Sequence, residues 1–141
     1  MIFNASLTEA FFIFVIMENV AFIINPFSAK GNYQPFLNAL KAKVKDPLYY
    51  ISDSIAGTHD FIQEHFSHVD IFVAVGGDGT ISTVAQYLIG TSRILGIFPA
   101  GSGNGFSNET NFGKNLDELI GKLQAGKSRK IDTFTVNDRL S

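Results

Sequence analysis

Two glycine-rich clusters carry the residue types from which a phosphate site is built. The first, Val75-Gly76-Gly77-Asp78-Gly79-Thr80, follows an apolar run and precedes a helical pattern. At such a junction free backbone N–H groups and the helix dipole can hold an anion, and glycines let it approach the backbone closely. Asp78 is out of place in a simple anion cradle, because a carboxylate repels phosphate unless a cation or a transferred proton lies between them. That pattern implies a magnesium nucleotide. Thr80 can cap the following helix or offer its hydroxyl to a phosphate oxygen, and the two uses compete. The second cluster, Pro99-Ala100-Gly101-Ser102-Gly103-Asn104-Gly105, again follows an apolar run. Ser102 and Asn104 would donate hydrogen bonds there while the glycines keep the wall thin.

These clusters need elements to position them. Val20 to Ile24 has the continuous apolar pattern of a strand buried on both faces, ended by Asn25-Pro26. Pro35 can open a helix on which Phe36, Leu37, Leu40 and Val44 recur at helical spacing, and Asp46-Pro47 stops it. Leu48 to Ile51 reads as a second strand and Asp60 to His68 as a second helix. Asp70 to Val75 is a third strand, and Ile81, Val84, Ala85 and Leu88 mark a helix. Ile94 to Phe98, Asn115 to Leu123 and Ile131 to Val136 read as strand, helix and last strand. Strands alternating with helices predict an α/β domain with a mainly parallel sheet flanked by helices. Ligands of such sheets sit at the carboxyl ends of the strands, so Asn25 to Ser28, Gly76 to Thr80 and Gly101 to Asn104 are expected to line one crevice.

Composition removes many alternatives. The 141 residues are 45% hydrophobic, enough for one ordinary domain with a real core. Eleven Lys and Arg against thirteen Asp and Glu give a net charge of -2, so no bulk field draws nucleic acid. Absence of cysteine excludes disulfide scaffolds, thiolate zinc sites and thiol nucleophiles. The N-terminal FFIFVI run is far short of the roughly 18 residues of a membrane-spanning helix, and no basic residue precedes it as in a secretory leader. Met17 precedes the first clean strand pattern, so residues 17–141 are expected to form the domain. Residues 1–16 would be an apolar extension, an added strand or a mis-assigned start.

Several motif matches carry no chemistry. Gly121 to Ser128 satisfies G-x-x-x-x-G-K-[ST], but a working P-loop follows a strand and opens a helix, and here a helical pattern comes first. His59, His65 and His68 lack metal-ligand spacing and read as helix-face histidines, so no metal site is assigned to them. Ser6 and Thr110 complete sequons that matter only in a secreted protein. Neither glycine cluster fits G-x-G-x-x-G, since Phe106 stands where a third glycine is needed.

Asn25-Pro26 with Ser28, then Gly76-Gly77-Asp78-Gly79-Thr80, then Pro99-Ala100-Gly101-Ser102-Gly103-Asn104, closely resembles the diacylglycerol kinase catalytic domain family, from about Val20 to the C-terminus. The first motif is shared with NAD kinases, and the Gly101 to Asn104 loop tips the resemblance towards lipid kinases. The resemblance implies the fold of the N-terminal domain of the NAD kinase and diacylglycerol kinase group. It also implies an enzyme, an ATP-dependent lipid kinase that transfers the γ-phosphoryl group to the hydroxyl of diacylglycerol or a long-chain base, with Mg2+. On it, Asn25, Pro26, Phe27, Ser28 and Ala29 contact ATP, Gly76, Gly77, Gly79 and Thr80 hold the phosphates, and Asp78 matches the critical acid. Gly101, Ser102, Gly103 and Asn104 line the same pocket, and Ser52 is the nearest match for a polar contact after the second strand.

Ser82 and Thr83 depart from the family's usual Asn and Glu, Gly105 from a common Asp, and Asn108 from a common Arg. Family members carry a further, β-rich domain that supplies the lipid pocket, so this chain is expected to need it for activity. The expected partners are ATP, a lipid acceptor reached through that domain, a second copy of the chain and, transiently, a membrane surface. The expected location is the cytoplasm, peripheral at the membrane. The alternatives are an NAD kinase-like enzyme and a noncatalytic nucleotide-binding or assembly module.

Overall fold

Strands β2 (Val20–Ile24) and β5 (Ile71–Gly76) are buried along their whole lengths and lie side by side. The computed structural model describes residues 15–27, 31–99, 109–125, 135–136 and 139–140. Strand β4 (Leu48–Ile51) pairs with β2 and β6 (Ile94–Pro99) with β5, giving a four-stranded, wholly parallel sheet of order β4-β2-β5-β6. The continuous apolar runs of β2 and β5 follow from cover on both faces.

Residues alternate between those faces. Val20, Phe22, Ile24, Ile71, Val73 and Val75 share one core with Phe36, Leu37 and Leu40 of helix α1 (Gln34–Lys43) and with Leu116 and Ile120 of helix α4 (Glu109–Ala125). Ala21, Ile23, Phe72 and Ala74 share the other with Phe61 and Ile62 of helix α2 (Ile55–His65) and Val84 and Leu88 of helix α3 (Asp78–Leu88). Phe22, Phe72, Ile23 and Ile24 are fully buried, each burial contributing about 1.5–3 kcal/mol. A bridge from Lys43 Nζ to Asp117 Oδ1 at 2.6 Å ties α1 to α4 at the surface, where such pairs contribute about 1 kcal/mol at most.

The structure moves several expected boundaries. Helix α2 begins at Ile55 rather than Asp60, because Ser54 caps it by accepting the Gly57 N–H at 2.9 Å. Helix α4 begins at Glu109 rather than Asn115; its first turns are polar, so the apolar period becomes visible only near Leu116. Val44 leaves the helix expected of it and enters β3 (Val44–Lys45), yet stays fully buried in the α1 core. Strand β3 pairs in parallel with β1 (Val15–Ile16), and the next residue, Met17, is buried in the same core. Asp46, with φ 48°, turns the chain immediately before Pro47. Of the expected last strand, the described residues include β7 (Thr135–Val136), antiparallel to β8 (Arg139–Leu140).

Gly57 shows tertiary structure overriding propensity. The Tyr50 ring stacks on Phe61 with centroids 5.1 Å apart, and its hydroxyl donates to Asp53 Oδ1 at 3.0 Å. A Cβ on Gly57 would collide with that hydroxyl and lie 2.9 Å from Ser54 Oγ, the cap atom. Helix propensity alone would make Gly57→Ala stabilising by about 1 kcal/mol. The expected result is the opposite sign, a loss of about 1–3 kcal/mol in urea denaturation, partly recovered when Tyr50→Phe removes the hydroxyl.

Candidate functional site

Parallel pairing brings four strand ends to one edge. Ile24 lies opposite both Ile51 and Val75, and Val75 opposite Phe98, so Asn25, Ser52 and Gly77 leave the sheet on the same side, at which β6 also ends. Two backbone bonds carry the ladder past the strands: Asn25 N–H donates to the Val75 carbonyl at 3.0 Å and Ser52 N–H to the Ile24 carbonyl at 2.8 Å. The loops are therefore pinned at their roots.

Helix α3 opens directly at this edge. Its N-cap is Gly77, in extended conformation with no side-chain cap, and the Gly77 carbonyl accepts the Ile81 N–H at 3.1 Å. The N–H groups of Asp78, Gly79 and Thr80 precede the first intrahelical bond and point out of the helix end without an intrahelical acceptor. Thr80 is thus not the cap and sits within the first turn; of its two competing uses, capping is removed. Asp78 is exposed and is the acidic residue of that first turn, where its charge favours the helix dipole. Among the described residues, a Cβ on Gly79 would meet nothing within 4 Å. The described residues do not require glycine there, whereas close approach of a ligand would.

Asn25 joins two of the expected segments. Its Oδ1 accepts the Phe27 N–H at 2.9 Å and its Nδ2 donates to Thr80 Oγ1 at 2.9 Å, across 55 residues of sequence. Both ends of the amide are engaged within the protein, so Asn25 braces the loop after β2 against the start of α3. Because Thr80 Oγ1 accepts from Asn25, its own proton is left to be donated elsewhere. Phe27 stands 78% exposed on the same loop. Ser52 Oγ lies 2.5 Å from Thr58 Oγ1. Ser28, Ala29, Gly101, Ser102, Gly103 and Asn104 lie outside the described residues.

Other residues have settled structural places. Thr83 Oγ1 donates back to the Gly79 carbonyl at 2.9 Å. His59 stacks on Tyr87 with centroids 4.3 Å apart, and His65 Nδ1 lies 3.1 Å from His68 Nε2. Gly121 to Ala125 form the end of α4, so that stretch of the P-loop-like match is helix where a working P-loop has its phosphate-binding turn. Sequence reasoning missed Thr58, the buried polar side chain among the described residues, at 1% exposure, whose signal was its i, i+4 spacing from Ser54. It also missed Tyr50. Partial burial, then the bond to Asp53, then the charges of Asp53 and Asp60 raise the Tyr50 hydroxyl above its ordinary 10.0. A raised value means that this contribution is complete at neutral pH and is lost only as pH climbs past the ordinary tyrosine range, which a spectroscopic tyrosinate titration checks.

A family model described as diacylglycerol kinase catalytic domain matches residues 19–136. A Streptococcus pneumoniae protein named as a lipid kinase is 29% identical over 129 residues, covering 86% of this chain and 44% of the relative. "Probable lipid kinase YegS" of Salmonella arizonae is 36% identical over 77 residues, 52% of this chain and 26% of its own. A solved Bacillus anthracis diacylglycerol kinase superposes with a TM-score of 0.63 at 25% identity, covering 87% of this chain and 45% of that one. The chain spans less than half the length of each of these proteins.

Asp78 and Gly79 are separable from folding. Asp78→Asn is expected to change unfolding free energy by less than about 1 kcal/mol, the size of one helix-dipole contact. Gly79→Ala is expected to leave it unchanged or raise it by up to about 1 kcal/mol, both read by urea denaturation.

Proposed function

We propose, from the premise that this chain belongs to the diacylglycerol kinase catalytic domain family, that it is the nucleotide-binding part of a kinase that moves the γ-phosphoryl group of ATP to a lipid hydroxyl. The observation that carries the reading is the uncapped start of α3, with three outward N–H groups, an open approach at Gly79, and a Thr80 hydroxyl that Asn25 leaves free to donate. These groups suit phosphate oxygens, and they are held in place before any ligand arrives, so little ordering opposes binding. Ser28, Ala29 and the Gly101 to Asn104 loop, expected from the sequence to line the same crevice, lie outside the described residues.

Asp78 is the residue that fits a divalent cation. An exposed carboxylate beside a phosphate cradle would repel the ligand unless Mg2+ lay between them. When bound, that ion would neutralise charge on the phosphates, as in other phosphoryl transfers. The chain's own part is to fix the triphosphate by backbone N–H groups and one hydroxyl, and to place a carboxylate at its edge. Taking the proton of the lipid hydroxyl and shaping the lipid pocket are assigned to residues that this chain does not span, since it covers 44% and 45% of those two relatives.

Calorimetric titration tests this. The chain is expected to bind Mg-ATP saturably, with NAD failing to displace it. Gly79→Ala should weaken ATP at least about tenfold, the loss of roughly one charge-assisted hydrogen bond, without loss of stability. Asp78→Ala should weaken Mg-ATP more than metal-free ATP. Preferential binding of NAD would turn the reading towards an NAD kinase-like enzyme. The 141-residue chain is expected to leave a diacylglycerol panel unphosphorylated, and detectable product would overturn its dependence on further residues.

A further inference from the structure

The turn that follows α2 brings together two histidines whose sequence spacing carries no metal-ligand pattern. His65 closes the helix and His68 lies three residues on, where its backbone N–H and that of Val69 both donate to the His65 carbonyl, at 3.3 Å and 3.0 Å. Phe66, between them, is held from outside. Arg93 Nε donates to its carbonyl at 2.9 Å, and the guanidinium carbon lies 4.4 Å from its ring centroid. The His65 ring packs on Phe61 with centroids 4.6 Å apart, and Phe61 stacks in turn on Tyr50 of β4. Backbone and aromatic contacts therefore fix where both imidazoles stand. His65 is half-buried and His68 exposed, and Nδ1 of His65 lies 3.1 Å from Nε2 of His68.

Imidazole nitrogens stand about 2.0–2.1 Å from a divalent transition ion, so two of them at angles between a right angle and tetrahedral are roughly 2.9–3.4 Å apart. The pair already has that separation. We infer that His65 Nδ1 and His68 Nε2 form a chelating site for a divalent transition metal, with water at the remaining positions. Among the described residues no third histidine or carboxylate completes a set with them, so the site is open rather than a closed structural centre. Imidazole suits Zn2+, Ni2+ and Cu2+, whereas Mg2+ takes oxygen ligands, and the site stands independently of the magnesium nucleotide proposed at α3. In the free chain one of the two facing nitrogens carries the proton of the N–H···N contact. Metal binding moves that proton through solvent to the outer nitrogen of the same ring, so both rings stay neutral and both facing lone pairs become ligands. Each ring then turns outward about its last side-chain bond, which is soft in histidine. The ion would staple the end of α2 to the turn that leads, through the fully buried Val69, into β5.

The test is calorimetric titration of the untagged chain with Ni2+ in the presence of excess Mg2+. One Ni2+ per chain is expected to bind saturably, with Mg2+ failing to displace it. His65→Asn and His68→Asn should each weaken Ni2+ by more than the roughly tenfold that loss of a supporting partner costs a metal site. His59, which stacks on Tyr87 of α3, is the control, and His59→Asn should leave Ni2+ affinity unchanged. A second readout is stability, because an ion that binds the folded chain stabilises it. Ni2+ should raise the urea midpoint of the chain and leave that of His68→Asn, a replacement at an exposed position, where it was. Absence of saturable Ni2+ binding, binding that survives both single replacements, or an equal loss in His59→Asn overturns the assignment.

Discussion

Parallel pairing of two strands buried on both faces is the constraint on which this molecule depends. With β2 and β5 covered by α1 and α4 on one side and by α2 and α3 on the other, their backbone groups have no water to bond and must pair with each other and with β4 and β6. Parallel strands need crossovers, and the helices supply them. The same geometry sends the chain out of the sheet at one edge after every strand, so Asn25, Ser52 and Gly77 are neighbours by necessity. Local chemistry then acts on groups that the core has already placed.

That edge shows a division between what stabilises the fold and what is left open. Ser54 caps α2 and Thr58 backs Ser52, so the β4 corner is closed by internal hydrogen bonds. The start of α3 is treated differently. No side chain caps it, Gly79 leaves space above it, and Asn25 reaches across to fix Thr80 without covering the outward N–H groups. A helix end left without a cap forgoes about 1 kcal/mol, and such omissions gather where a ligand completes the hydrogen bonding.

The elements that were legible had a single dominant signal. Val20 to Ile24 and the strand before Gly76 read as strands buried in the sheet because both faces are covered and the apolar runs are continuous, while Leu48 to Ile51 reads as a strand and lies half-buried at the sheet edge. The turn between β5 and α3 was legible as a strand-to-helix junction because an apolar run ends in glycines and a helical period follows them. Boundaries were misread where a cap or a polar turn carried the information. Ser54 extends α2 by five residues beyond the apolar pattern, and Val44 satisfies the helical period while its backbone belongs to a strand. Of the two uses the sequence allowed Thr80, capping is removed because α3 already begins at Asp78 with Gly77 as its N-cap.

The sequence by itself determined the alternation of strands and helices, the parallel sheet and the loops that carry chemistry, since burial period and glycine placement are properties of neighbouring residues. Only the tertiary structure decided which hydroxyls donate and which accept. Asn25 and Thr80 are separated by 55 residues, and the Ser52 hydroxyl faces a threonine on the next helix whose own proton goes to the carbonyl at its cap. A hydroxyl proton goes to whichever acceptor the folded chain brings within reach, and that choice is not made until the core has formed.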